Sequence, residues 1–291
     1  MNLQLTRLTD HILYLPPDGS VDRPVLAMIS GCERSLIMDA GNSSAHAALF
    51  LEQVSEHELP PAELVALTHW HWDHVFGMDR LNLPSIAHVE TRRQLEIMQA
   101  WEWTDEAIDE RVKQGIEIPF CAEYIKKEFA GRDRDIKIKL PTILFEEKLK
   151  IDLGGITVTI EHVGGDHAHD SCLIYVKEDK VLFLGDAIGP AIYCPNRYYT
   201  DEQLLPLLDR IEAYDAEYFV TSHGGPLTKS EMQFELEIFR GVACSTREHR
   251  GDRDKIAHDL ARLMKLAECP EDELKWIDCF IEGYHLAAKA E

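Results

Sequence analysis

Thr68-His69-Trp70-His71-Trp72-Asp73-His74 is the stretch whose reading decides how this chain is built. It follows Leu64-Val65-Ala66-Leu67, an apolar run that reads as a buried strand. His69 and His71 are two apart where that strand ends, so both imidazoles project to one side. Asp73 and His74 follow in a turn and short helix at 71–81, which puts four potential metal donors within six residues. Imidazole nitrogen with carboxylate oxygen is the mixture that borderline divalent cations prefer, and so dense a titratable cluster is costly to bury without a cation. Trp70 and Trp72 alternate with the histidines and are expected to face away from them and pack.

Upstream of the cluster, HILYLP, PVLAMIS and SLIMDA read as short strands, and 45–56 reads as a helix. Downstream, 90 to about 128 is helical in pattern, rich in charge and tryptophan. Strands resume at 142–145, ITVTIEHV, SCLIYV and KVLFLG, then a helix over 201–214 and a strand at YFVTS. The last sixty or so residues are helical throughout, with Pro270 opening a final helix whose first turn carries Glu271, Asp272 and Glu273. Two runs of strands with flanking helices predict an α/β fold of two packed sheets covered by helices on the outside. The expected organisation is one domain over 1–227 with a helical insertion at about 90–130, and a helical C-terminal extension over 228–291.

A chain of 291 residues buries roughly three-quarters of the surface its unfolded form exposes, so its core needs neither disulfides nor a structural metal. Hydrophobic residues at 45% and no apolar run of membrane-span length point to a water-soluble protein without a membrane partner. The first residues carry no secretory signal pattern, which favours the cytoplasm. The seven cysteines are odd in number with no close pair, as expected of reduced thiols, most of them acting as small core residues. Thirty basic against 52 acidic residues give a formal charge of -22, which repels polyphosphates and excludes nucleic acid as a partner. The one basic run, 126–139, alternates with acids and reads as a solvated connection.

His-x-His-x-Asp-His after a strand resembles the second signature of the metallo-β-lactamase superfamily, and further matching segments follow in order. Asp39 ends an apolar strand before Ala40 and Gly41, like the family's first motif. His167 in GGDHAHDS, four residues before Ser171, resembles its Gly-His-Thr-Pro-Gly-Ser turn. Asp186 ends VLFLGD, and His223 lies in TSHGG, like the family's last two motifs. The resemblance runs from about Asp39 to Gly225. It implies a four-layer αββα sandwich holding two divalent metal ions. His69, His71 and His167 would bind one ion, Asp73, His74 and His223 the other, and Asp186 both, with Asp39 supporting the loop. Asp166 and Ala168 stand where the family usually has Gly and Thr, and His169 is an alternative to His167 as donor.

The activity so implied is that of a dinuclear metal-dependent hydrolase, with a metal-bridging hydroxide attacking a small-molecule ester, lactone or thioester and Asp73 as catalytic proton carrier. Zinc is the expected metal, and manganese and iron suit the same donors. Aspartate at 186, where penicillin-cleaving members usually have cysteine, argues against a β-lactamase. The rivals are an iron-dependent oxidoreductase of the same fold, sulfur dioxygenase-like, and a phosphodiester hydrolase. Tyr193, Arg197 and Tyr198, close behind Asp186, are candidate substrate contacts, with a prolyl surface loop as the plain alternative. Trp101 and Trp103 either pack or line a substrate mouth. The amphipathic terminal helix serves packing or a homodimer.

Overall fold

A computed structural model describes residues 3–131 and 134–290. Two sheets face each other. The first runs in chain order through β1 (Thr6–Arg7), β2 (Ile12–Leu15), β3 (Leu26–Ser30), β4 (Ser35–Met38), β5 (Ala62–Ala66), β6 (Ser85–His88) and β7 (Ile143–Phe145). The second comprises β8 (Lys148–Asp152), β9 (Thr157–His162), β10 (Cys172–Val176), β11 (Val181–Gly185), β12 (Tyr218–Thr221) and β13 (Gly225–Thr228), and its strands too lie side by side in chain order. β4 to β7 are parallel neighbours, as are β11 and β12, and the remaining pairs are antiparallel.

Period-two alternation divides the apolar residues among three cores. Ala27 and Ile29 of β3, Leu36 and Met38 of β4, Ile174 of β10 and Phe183 of β11 meet between the sheets. Their neighbours Leu26, Met28 and Ile37 face outward onto α1 (Ser44–Val54), α2 (Trp72–Val75), α3 (Met78–Leu81), α4 (Val89–Met98), α5 (Asp105–Lys113) and α6 (Pro119–Glu128). Leu173, Leu182, Leu184 and Phe219 face α7 (Asp201–Glu212), α8 (Lys229–Glu248), α9 (Arg253–Leu263) and α10 (Glu271–Ala290). This is the four-layer αββα sandwich, and strands buried on both faces explain why their sequences are apolar runs rather than clean alternations.

Side-chain caps set the helix starts: Ser43 accepts from the His46 amide, Thr104 from that of Ala107 and Thr200 from that of Gln203. Thr228 and Glu231 form a capping box at α8. The 71–81 stretch holds two one-turn helices with Phe76 and Gly77 between them, one helix more than the sequence reading. Four strands of the fold, β1, β6, β8 and β13, have no counterpart in the sequence reading. Cys121, Cys172 and Cys279 are buried, whereas Cys32 and Cys244 are exposed, so fewer cysteines than expected are core residues. Among the described residues, no helix is long and apolar enough to cross a membrane.

α10 is fixed to the loop after β11 through backbone. The Tyr199 amide donates to the Cys279 carbonyl at 3.1 Å, and a Cβ at Gly283 would lie 1.7 Å from the Tyr199 carbonyl oxygen. Alanine in a helix interior gains about 1 kcal/mol over glycine, but overpacking against backbone costs about 1–3 kcal/mol. Gly283→Ala is therefore expected to lower stability by about 1 kcal/mol, measured by urea unfolding, with a matched gain in stability as the contrary result.

Candidate metal centre

The expected donors come from strand ends. His69 and His71 lie just beyond β5, Asp186 follows β11 directly, His223 lies two residues past β12, and His167 sits between β9 and β10. The two sheets are stitched together at this rim, since the Cys172 amide donates to the Thr68 carbonyl and the Val25 amide to that of Ser222. Two clusters result. One donor atom each from His69, His71 and His167 lie within 4.8 Å of one another, and so do those of Asp73, His74, Asp186 and His223. Asp186 Oδ2 stands between the clusters, 3.9 Å from His69 Nε2 and 3.6 Å from His167 Nε2, and 3.3 Å from Nε2 of both His74 and His223. His169 is exposed, 3.9 Å from Glu90, so His167 is the histidine that this turn delivers.

The donor set fits divalent cations. Nε2 of His69, His71 and His167 is buried in each case without a hydrogen-bond partner, a costly arrangement that cation binding relieves. Burial presses the pKa of His69 and His71 well below the usual imidazole range, and the neighbouring imidazoles press it further, so both offer lone pairs at neutral pH. His74 and His223 behave oppositely. Burial opposes their charge, but Asp73, Asp186 and, for His74, Asp39 outweigh it and hold both imidazoles protonated. Burial alone would raise Asp73 and Asp186, yet the two imidazoliums keep both carboxylates ionised.

Supporting groups aim these donors. Asp39 Oδ1 accepts from the Thr68 amide at 2.7 Å, and its Oδ2 lies 2.9 Å from Thr68 Oγ1 and 2.7 Å from His74 Nδ1. His167 Nδ1 donates to the Pro190 carbonyl at 3.2 Å, which leaves Nε2 as its donor atom. Asp166 accepts from the amide and hydroxyl of Thr200 at 2.7 and 2.8 Å, so the loop lacking the family's threonine is braced by a carboxylate instead. Gly185, at φ 55, lets β11 approach Thr68, where a Cβ would lie 2.8 Å from the Thr68 Cβ.

Sequence reasoning missed Asp22, whose Oδ1 lies 3.6 Å from His223 Nδ1. Burial and the nearby Asp73 push its carboxyl up to about 7. It sits at φ 57 in the turn before β3, with no motif around it to announce the role. A cleft of about 620 Å³ opens over the donors, and Arg197 is on its rim with Phe120, Phe239 and Trp276. Tyr193 stands behind the site instead, its ring 5.3 Å from that of His71 and its hydroxyl turned to Cys121 Sγ at 3.8 Å. Tyr198 bridges to Ala191 through backbone. Trp72 is in the core and Trp70 packs edge-on against His71, while Trp101 and Trp103 flank the Arg111 guanidinium at 4.7 and 4.8 Å inside the helical region.

Comparison with known proteins gives the family and the fold. The family profile described as the metallo-beta-lactamase superfamily matches residues 24–223. No curated protein matches the chain in sequence. Among solved structures, a metallo-beta-lactamase family protein from Thermus thermophilus is similar at TM-score 0.62 and 17% identity, over 98% of this chain and 95% of that one. A metallo-beta-lactamase from Pontibacter korlensis gives TM-score 0.56 and 17% identity over 82% of this chain and 99% of that one. The stereoselective inverting sec-alkylsulfatase from Pseudomonas sp. gives 0.61 and 14% over 96% of this chain, which spans 47% of that protein's length.

Two results are expected of the centre. Asp39→Asn should weaken metal binding by about 10- to 100-fold in competition with a chelator, because the group that orients His74 is lost. Unchanged affinity would deny Asp39 that role. Metal uptake at pH 7 should release protons from His74 and His223, read as a dependence of calorimetric heat on buffer ionisation enthalpy. Because both pKa values are raised, affinity should climb with pH through neutrality, and a flat profile would contradict the protonated state of the pair.

Proposed function

The chain belongs to the metallo-beta-lactamase superfamily, and we propose that it is a metal-dependent hydrolase using two cations on a small-molecule ester, lactone or thioester. The observation that carries this reading is the position of Asp186 Oδ2 between two groups of donors, within 3.9 Å of His69 and His167 nitrogens and 3.3 Å of those of His74 and His223. His69, His71 and His167 would hold one cation and Asp73, His74 and His223 the other, with Asp186 placed to serve both. Zinc is the cation we assign to these nitrogen and oxygen donors.

Bound cations supply Lewis acidity and lower the pKa of a coordinated water. The protein's own groups handle proton and substrate. Asp73, kept ionised by His74 and His223, accepts a proton at its carboxylate and passes it to the leaving group. Arg197, an exposed cation on the rim of the cleft, holds a substrate carboxylate. Asp22 keeps the His223 ring directed inward through its contact with Nδ1. The formal charge of -22 opposes polyphosphate substrates, which favours carboxylic esters over phosphodiesters.

A hydrolysis panel of lactones, thioesters, aryl esters and phosphodiesters on protein of measured metal content tests the reading. One addition is a secondary alkyl sulfate, because a solved relative is named a sec-alkylsulfatase. Turnover is expected on a carboxylic ester, lactone or thioester, and Asp73→Asn is expected to reduce kcat by about 100-fold or more. Near-wild-type turnover in that variant would remove Asp73 from the chemistry. Oxygen uptake without hydrolysis of any panel member would replace the reading with an iron-dependent oxidoreductase.

A further inference from the structure

The cleft over the donors is two-sided. Its inner side presents His71, Asp73, His167, Asp186 and His223, whereas Ile188, Leu227, Met232, Phe239 and Trp276 line the continuation of the same space. Met232 and Phe239 are seven apart on α8, so they share one helix face, and Trp276 comes from α10. Tyr199 joins this wall, its ring 4.8 Å from Phe280, 5.7 Å from Phe239 and 6.1 Å from Trp276. Away from the donors, the charged side chains on the cleft among the described residues are Asp22, Arg197 and Glu235. Asp22 is beside His223, and the other two are exposed.

An apolar wall continuous with a polar reaction site is held at a cost in water, which an apolar part of the ligand offsets by covering it. The exposed rings at the mouth, Phe120 at 38% and Trp276 at 40%, extend that surface outward. We infer that the wall built by α8, α10 and the segment 188–199 is a chamber for an aliphatic arm of the substrate, so that the compound cleaved is a medium-chain acyl or alkyl ester, lactone or thioester. This rests on the hydrolase reading for the word cleaved, though not for the binding of the arm. The space of about 620 Å³ exceeds what an acetyl or butyryl group fills, and it lies within the range of ligand pockets for drug-sized molecules.

The probes are butyrate and decanoate, titrated calorimetrically into the zinc-loaded protein. They share a carboxylate head, so their affinity ratio reads the chain alone. Each methylene that enters the chamber should tighten binding about fourfold, and decanoate is expected to bind at least about tenfold better than butyrate. Trp276→Ala and Phe239→Ala, each checked for an unchanged melting transition, should narrow that ratio. Equal affinities for the two acids in the parent protein, or a ratio unmoved in both folded variants, would overturn the chamber. A chain-length series of γ-lactones run beside the titrations keeps the two readings apart. Decanoate selectivity without turnover of any ester would leave the chamber standing and remove the hydrolase, while turnover with no chain preference in either assay would do the reverse.

Discussion

Asp39 ends β4 in the left-handed region, at φ 57, with its carboxylate wholly buried. One oxygen takes the Thr68 amide, and the other faces the Thr68 hydroxyl and His74 Nδ1. Two consequences follow from this one side chain. The turn that leaves β5 towards His69 is held at its first residue. The ring of His74 is held at the nitrogen that faces away from the donors. The peptide groups next to Asp39 complete the attachment, because the Ala40 amide donates to the His74 carbonyl and that of Gly77 to the Gly41 carbonyl. α2 is a single turn, too short to persist by its own hydrogen bonds, and these contacts supply what its length cannot.

Apart from His167, in the turn between antiparallel β9 and β10, the donors follow parallel strands. β4 and β5 deliver Asp39 and the histidine pair, and β11 and β12 deliver Asp186 and His223. Open α/β sheets collect their ligands at the carboxyl ends of such strands, and here two sheets do so along one shared rim. Bonds from Cys172 to Thr68 and from Val25 to Ser222 keep the two rims in register. The close approach of Gly185 to Thr68 brings Asp186 to the His69 side, and a side chain there would force β11 away. Precision at the centre is thus a property of backbone packing more than of the donors' own flexibility.

The clustered donor residues were far more legible in the sequence than the cleft. Cation donors need particular residue types at tight spacing, so His69 to His74, His167, Asp186 and His223 announce themselves. Walls need only apolar bulk, and Met232, Phe239 and Trp276 look like any amphipathic helix residues. Asp22 is legible only in three dimensions, since what distinguishes it is nearness to His223 across two hundred residues of chain. Among the strands, β8 escaped because an edge strand with alternate residues exposed carries a weak signal in Lys-Leu-Lys-Ile-Asp. β13 begins with Gly225-Pro226, turn residues by composition, and β6 is four residues behind Pro84. Between His167 and His169 the sequence offered only the spacing to Ser171, whereas the fold sets His167 beside His69 and His71 and His169 beside Glu90.

The attachment of α10 to Tyr199 also has a meaning in time. Synthesis runs from the amino end, and all seven donor residues are complete at His223, whereas Trp276 arrives 53 residues later. At about 5–20 residues per second that gap is roughly three to ten seconds, during which every donor residue has been synthesised and Trp276 has not. The residues that would capture a cation therefore precede, in synthesis, those that would discriminate among ligands. Selectivity arrives last, when the Gly283 face settles against the Tyr199 peptide and closes the chamber from behind.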